Sequence, residues 1–210
     1  MDEIYSSVQS HTSAQIKIEG SRFIADVFPV VTEEEAKETL ETVRKKYFDA
    51  THHCFAYVIG GEKKIVRYSD NGEPSGTAGV KIHSAIHAKI LADILIIITR
   101  YFGGTKLGVG GLGRAYGESA DHGIAQSTLI TKAVIQEMNI AFPFSETNPV
   151  MNLINTHKLK ISSTRYSDNR SIVTVHILPS HTSSFRELIV NATRGAAKIS
   201  LGAKKTVKWK

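Results

Sequence analysis

The spacing of apolar and polar residues predicts two extended segments and then a helix in the first part of the chain. Residues 15–19 and 22–30 are extended by pattern, and Gly20-Ser21 separates them. Thr32 and Glu35 form the T-x-x-E pattern of a helix capping box. Apolar residues then recur on one helical face, at Ala36, Leu40, Val43 and Tyr47. We therefore expect an amphipathic helix that begins after Thr32.

Further strands and helices are predicted up to Thr131, around two long loops over 69–80 and 100–113. In chain order they are strands over 54–59 and 64–68 joined by a Gly60-Gly61 hairpin turn, a helix over 82–91, a strand over 94–99 and a helix over 112–125.

After Thr131 the pattern changes to a different order of elements. Residues 171–178 alternate strictly, with Val173, Val175 and Ile177 on one face. The full order is a strand over 134–142, a helix over 148–157, strands over 159–166 and 171–178, a helix over 184–192 and an extended segment over 197–209. This β-α-β-β-α-β order is that of a ferredoxin-like domain. We therefore expect an α+β protein with two domains, residues 1–131 and 132–210.

Composition and charge restrict the classes of protein that fit. The 210 residues are 41% hydrophobic, enough for a packed core, which excludes a disordered chain. The net charge of +6 is uneven, since residues 1–131 carry −2 and residues 132–210 carry +8. Cys54 stands alone, so neither an internal disulfide nor a cysteine-only zinc site can form. With no secretory signal and an apolar run too short to span a bilayer, at 94–98, we expect a cytoplasmic protein without membrane contact.

The glycine-rich segment 100–117 is a candidate anion site, because it lies between a buried strand and a helix. Backbone N–H groups at a helix start bind phosphate, and glycines let a ligand approach the backbone. Neither the Walker A ending nor the Rossmann spacing is present. The alternative, equally open at this point, is that the glycines allow tight turns and close packing. The candidate groups are Gly108, Gly110 and Gly111 just before the helix, with Lys106 and Arg114 as charges.

Two further clusters carry chemistry-bearing side chains. Asp70 and Glu73 could bind a metal or share acid–base work, but we favour a turn in which Glu73 caps a neighbouring backbone. His53 and Cys54 are adjacent at a strand start and so point to opposite faces, which argues against a shared metal ion. One of His52 and His53 is expected beside the glycine loop, and Cys54 in the core. No metal and no cofactor is expected.

The basic part of the chain, 132–210, is a candidate nucleic-acid surface, because cations on a ferredoxin-like sheet can contact an RNA backbone. A solvated lysine face is the alternative. The middle strands offer only Tyr166 as an aromatic ring, so base stacking of the RRM type is not expected. The candidate cations are Lys158, Lys160, Arg165, Arg170, Lys204, Lys205 and Lys208.

Four stretches of the chain together resemble the IMPACT / YigZ family. They are Ser21-Arg22-Phe23-Ile24-Ala25, Ala50-Thr-His-His-Cys54, the loop from Ser69 to Gly79, and the segment from Arg100 to Gly117. The resemblance implies an N-terminal α+β domain like that of a small-subunit ribosomal protein and of GHMP-type kinases. It also implies a C-terminal domain similar to the last domain of elongation factor G, in agreement with the predicted order of elements.

The resemblance implies a ligand surface and a link to translation. Eukaryotic relatives regulate translation by competing for an activator of a stress-responsive kinase, and they carry an additional RWD domain that is not expected here. Lys81 departs from the family pattern, where relatives often have proline. The matching family positions are His52, His53, Asp70, Glu73, Arg100, Tyr101, Lys106 and Arg114.

Three functional hypotheses follow from these features. We favour a translation-related regulator that binds RNA or a ribosome-associated partner without catalysis. The alternative is an enzyme that acts on a phosphorylated small molecule or nucleotide at the glycine-rich loop. A third hypothesis is a protein-interaction module in which the loops form a rigid docking face.

Overall fold

A computed structural model describes residues 3–60 and 64–209. These residues form two compact units, the first comprising the described residues up to Lys132 together with Trp209, and the second running Ala133–Lys208. The expected α+β class is confirmed, because the described residues contain two antiparallel sheets and five α-helices. The second residue of the expected Gly60-Gly61 turn lies outside the described residues.

Unit 1 is built on an antiparallel sheet with helices on both faces. Its strands are β1 (Ile4–Val8), β2 (Thr12–Ile18), β3 (Ser21–Pro29), β4 (His52–Ile59), β5 (Ile65–Ser69) and β6 (Ile94–Tyr101). Its helices are α1 (Glu33–Lys46), α2 (Gly79–Ala88) and α3 (Gly108–Ala125). The sheet order is β2-β3-β6-β4-β5, so the most apolar strand, β6, lies at the centre and β5 at one edge.

The helix α1 covers one face of this sheet and begins where the capping box predicts. Thr32 Oγ1 accepts the N–H of Glu35 at 3.1 Å, and the Glu35 carboxylate accepts the N–H of Val31 at 2.7 Å. The buried residues of α1 are Ala36, Leu40 and Val43, which pack with Tyr57, Ile59, Leu95 and Ile97 of the sheet. Burial of these apolar side chains stabilises α1 on its face of the sheet.

The helices α2 and α3 belong to the opposite face. A Cβ on Gly123 of α3 would lie 3.0 Å from the side chains of both Ala25 and Val27, so that helix lies close against β3. A Cβ on Gly113 would meet the Lys81 side chain at 3.2 Å, which shows that this side chain extends from α2 to α3. Both helices begin earlier than the sequence predicts, at Gly79 rather than residue 82 and at Gly108 rather than residue 112.

Unit 2 has the predicted β-α-β-β-α-β order. Its elements are β7 (Leu129–Pro143, whose first four residues belong to unit 1), α4 (Thr147–Thr156), β8 (Lys160–Ser167), β9 (Arg170–Ile177), α5 (Thr182–Ala192) and β10 (Lys198–Trp209). Within the unit the strands are ordered β10-β7-β9-β8. The core joins one face of this sheet to α4 and α5, through residues such as Phe142, Val173, Ile154 and Phe185. We call the opposite face of the sheet the polar face.

Candidate functional site

The loop between β5 and α2 is held by the carboxylate of Asp70. Its Oδ2 accepts the N–H of Gly76 at 2.9 Å, and its Oδ1 accepts those of Ala78 and Gly79 at 2.9 and 2.8 Å. Burial alone would raise the pKa of Asp70, but the three backbone hydrogen bonds outweigh it and the pKa is lowered. Asp70 therefore caps the N-terminus of α2, which starts at Gly79, three residues before the predicted start. These hydrogen bonds leave the Asp70 carboxylate little freedom for acid–base work.

Glu73, which the sequence analysis expects to cap a backbone, instead lies in a buried side-chain network. Its Oε1 accepts the Arg100 Nη1 at 2.6 Å and the Tyr116 hydroxyl at 2.8 Å. The side chains of Glu73 and Arg100 are only 4% and 6% exposed. The second Arg100 amino group donates to Ser21 Oγ at 3.3 Å, whereas its buried Nε has no hydrogen-bond partner among the described residues. An ion pair this deeply buried is costly to desolvate, so each charge depends on its partner.

Cys54 and Tyr116 complete the network, and neither side chain is a reactive group. The Cys54 Sγ lies 2.9 Å from the Asp70 carbonyl oxygen and 3.3 Å from the Tyr116 hydroxyl oxygen. Burial raises the pKa of the Cys54 thiol to about 12 and also raises that of the Tyr116 phenol. Because the thiolate is the reactive form of cysteine, Cys54 is a buried polar packing residue rather than a nucleophile.

His52 and His53 point to opposite faces of β4, as their adjacency predicts. The His52 Nδ1 lies 2.8 Å from the Asn71 carbonyl oxygen, and its Nε2 is 3.9 Å from Glu73 Oε1. His52 is therefore the histidine that faces the network. On the other side, His53 Nε2 lies 3.2 Å from the carbonyl oxygen of Tyr47, at the end of α1, and burial lowers the His53 pKa.

The remaining family positions lie outside this network. The Tyr101 hydroxyl donates to Asp49 at 2.8 Å, and its ring lies under the Arg22 guanidinium. Lys106 and Arg114 line a separate shallow depression of about 460 Å³ that also includes Gly111. The structure thus brings together His52, Asp70, Glu73 and Arg100 and leaves Tyr101, Lys106 and Arg114 elsewhere.

The glycines of the candidate anion site, Gly108, Gly110 and Gly111, lie within α3 rather than before it. The helix starts at Gly108, so Gly110 and Gly111 are in its first turn, and Arg114 is almost two turns inside. Leu107 precedes the helix, and its side chain makes no capping hydrogen bond. The predicted start at residue 112 is too late, because glycine is a poor helix former.

The polar face of unit 2 carries a row of ionisable side chains across its four strands. Lys160 of β8 is paired with His176 of β9, and His176 with Glu137 of β7. Lys205 of β10 donates to Glu137 Oε1 at 2.7 Å, and His176 Nε2 is 4.0 Å from the same oxygen. The hydrogen bond from Lys205 lowers the pKa of Glu137, so this acid is ionised at neutral pH.

A second row on this face is a chain of hydrogen-bonding side chains. Ser163 Oγ donates to Thr174 Oγ1 at 3.0 Å, and Thr174 donates to Asn139 Oδ1 at 2.7 Å. A β-bulge between Ile161 and Ser163 brings Ser163 opposite Thr174. Arg165 is paired with Ile172 in the next row and is exposed.

The other predicted cations of unit 2 occupy more varied places. Arg170 is half-buried and donates to the Ala196 carbonyl oxygen at 3.3 Å, which assigns it a structural contact. Lys158 lies in the left-handed turn after α4, at φ 52°. Lys204 and Lys208 are exposed on β10, with Lys205 between them and paired as above. The set is therefore spread over the unit. Strand register places Lys160 and Arg165 on the polar face, and Lys205 reaches it through Glu137.

Sequence reasoning missed three contributors to these sites. Ser21 accepts from both Arg100 and the Gly103 N–H, and Tyr116 donates to Glu73. Phe144 lies beside Tyr166, with ring centroids 6.3 Å apart, so the single ring expected on the sheet has an exposed neighbour. No local pattern marks these contacts, because each joins residues distant in the sequence.

Neither a metal-binding cluster nor a membrane-spanning helix is found among the described residues. No three of their histidine, cysteine, aspartate or glutamate side chains are grouped so that they could hold a metal ion. None of their helices combines the length and the apolar character that crossing a membrane requires.

Comparison with known proteins gives matches over both units. A model of the Impact N-terminal domain matches residues 19–124. IMPACT family member YvyE of Bacillus subtilis (strain 168) is 35% identical over 198 residues, which cover 94% of this chain and 91% of that protein. IMPACT family member YigZ of Escherichia coli (strain K12) is 30% identical over 187 residues, covering 87% and 90%. The crystal structure of an hypothetical protein aligns with a TM-score of 0.65 at 27% identity, over 95% of this chain and 97% of that one.

Proposed function

The chain belongs to the IMPACT family, and on that premise we propose that it is a translation-related regulator that binds RNA through the polar face of unit 2. The observation that carries this proposal is the arrangement of that face. It presents Lys160 and Arg165 on β8 at one edge of the sheet and Lys205 on β10 at the other, and between them lie Ser163, Asn139 and the Glu137 carboxylate that Lys205 binds.

The chemistry of the polar face suits the backbone of a nucleic acid. Phosphate oxygens are bound by lysine and arginine, and ribose hydroxyls by serine, threonine and asparagine side chains. Ser163 and Asn139 supply such groups between the cations. Glu137 is the one acid in the charged row, and its Oε1 is bound by Lys205. The net charge of +8 over residues 132–210 adds long-range attraction for a polyanion.

The enzyme hypothesis finds less support in the geometry of unit 1. Its proposed base or metal ligands are already engaged, Asp70 by three backbone N–H groups and Glu73 by Arg100 and Tyr116. Its proposed phosphate-binding cations, Lys106 and Arg114, line a separate depression. We therefore propose a binding function without catalysis.

Replacing Lys160 and Arg165 together with glutamine should weaken binding of single-stranded RNA by about tenfold at low salt. Each lost phosphate contact also reduces the slope of log affinity against log salt by about 0.7, so the slope should fall by about 1.4. Fluorescence anisotropy of a labelled single-stranded RNA with the full chain, over a series of salt concentrations, measures both quantities.

The matched control is the double variant Arg186→Gln, Arg194→Gln. It removes the same charge from α5 and the turn that follows it, where both residues are exposed. We expect its RNA affinity to stay within about twofold of the unchanged chain, with only the effect of net charge. Equal losses in the two double variants, or no RNA binding by the unchanged chain at low salt, would refute the assignment of the polar face.

A further inference from the structure

The strand β5 is an exposed edge with apolar side chains on both faces. It pairs with β4 on one side and is the last strand of the unit 1 sheet. Ile65, Val66 and Tyr68 are all exposed. Among the described residues, no backbone hydrogen bond reaches its outer side. Arg67 is the charged residue of this strand and is ion-paired with Glu33 of α1. The free N–H and C=O groups of such an edge pair readily with another strand.

A groove of about 310 Å³ lies between β5 and α2, beside this edge. Its walls are mainly apolar, but Lys64 and the imidazoles of His83 and His87 add groups that can bind an acid. Tyr68 stacks on His83, with ring centroids 5.8 Å apart, and so continues the groove along the strand. No carboxylate is among the described residues that line it, which are Val58, Lys64, Val66, His83, His87, Ile90 and Leu91.

Ile90 lines the groove although its backbone conformation is unfavourable for a β-branched residue. It follows the end of α2 with φ +53°, and the Leu91 N–H bonds the Ile86 carbonyl oxygen at 3.2 Å, as in a helix-ending motif that favours glycine. A β-branched residue is strained there, and the side chain is 63% exposed. The other left-handed positions among the described residues hold glycine or polar side chains. A partner that covers Ile90 would account for its presence.

We propose that this β5 groove binds an extended, acidic segment of a partner protein. The segment adds to β5 as a further strand, an apolar side chain packs on Val66 and Ile90, and a carboxylate faces Lys64 and the two imidazoles. The main-chain hydrogen bonds of strand addition supply affinity, and the groove supplies specificity. This activity is separate from RNA binding, which uses unit 2.

The test uses the full chain and a fluorescein-labelled peptide, Thr-Val-Thr-Asp-Thr-Val-Thr-Asp. In a strand, its valine and aspartate side chains share one face, as the groove requires. We expect this peptide to bind at least ten times more tightly than its counterpart with lysine in place of aspartate. Val66→Asp and Ile90→Gly should each weaken binding at least fivefold. Leu201→Asp, an equivalent change at an exposed leucine of β10, should leave binding within twofold.

Ile90→Gly also separates a binding role from a structural one. Glycine relieves the strain at this position, so the thermal midpoint should rise by about 3 °C while peptide affinity falls. Equal binding of the acidic and basic peptides, or unchanged affinity in Ile90→Gly, overturns the proposal. So does a concentration-dependent dimer that Val66→Asp abolishes without any peptide binding, because the occupant is then a second copy of the chain.

Discussion

Replacing Glu73 with glutamine should lower the free energy of unfolding by about 3 kcal/mol, because it leaves the Arg100 guanidinium buried without a counter-charge. The pair is joined by a 2.6 Å hydrogen bond in an interior where water cannot substitute for the lost partner. Tyr116 retains an acceptor in the amide, so the loss comes mainly from the ion pair. Urea denaturation followed by circular dichroism measures the change.

Asp49→Asn is the matched control, since it makes the same change at an exposed acid that accepts the Tyr101 hydroxyl. It should cost less than about 1 kcal/mol. Combining Glu73→Gln with Arg100→Met should recover most of the lost stability, because removing both charges ends the desolvation penalty. A Glu73→Gln protein as stable as the unchanged chain would contradict the view that this ion pair organises unit 1.

Replacing Gly103 with alanine should destabilise the chain by about 3 kcal/mol or more, since two backbones meet there. A Cβ on Gly103 would lie 1.9 Å from the carbonyl carbon of Gly20 and 2.2 Å from the Ser21 nitrogen. The loop after β6 would have to leave the turn between β2 and β3 and lose the hydrogen bond from the Gly103 N–H to Ser21 Oγ. Thermal unfolding monitored by circular dichroism would record the loss.

The same substitution at Gly117 should have the opposite effect on stability. Gly117 lies inside α3, and apart from its chain neighbours and the nearby backbone of α3 itself, no described atom is within 4 Å of the position that its Cβ would take. Alanine there should stabilise the protein by about 0.5–1 kcal/mol through better helix propensity. If both variants shift stability alike, close approach of the chains is not the reason for Gly103.

Local signals in the sequence were sufficient for most elements. The capping pattern at Thr32 and Glu35 marks the start of α1, and the strict alternation over 171–178 marks β9. The predicted start of α3, at residue 112, was wrong by four residues. The glycines at the observed start, Gly108, Gly110 and Gly111, oppose helix formation on their own.

The candidate sites were only partly predictable, because their contacts are long-range. Residue types and spacing drew attention to Glu73 and Arg100, but no local pattern pairs residues 27 positions apart. The partners of Lys205 and Thr174 depend likewise on the strand register of unit 2. Phe144 meets Tyr166 through the same register, since Pro143 is paired with Arg170.

The most direct test of RNA binding at the polar face is a titration of the isotope-labelled full chain with single-stranded RNA at low salt, followed by amide chemical shifts. We expect the largest shifts within 160–167, 170–177 and 198–208, the strands that carry the face and its cations. Shifts confined to the loop and helix over 102–118 of unit 1, or none at RNA concentrations that saturate binding in anisotropy, would contradict the proposal.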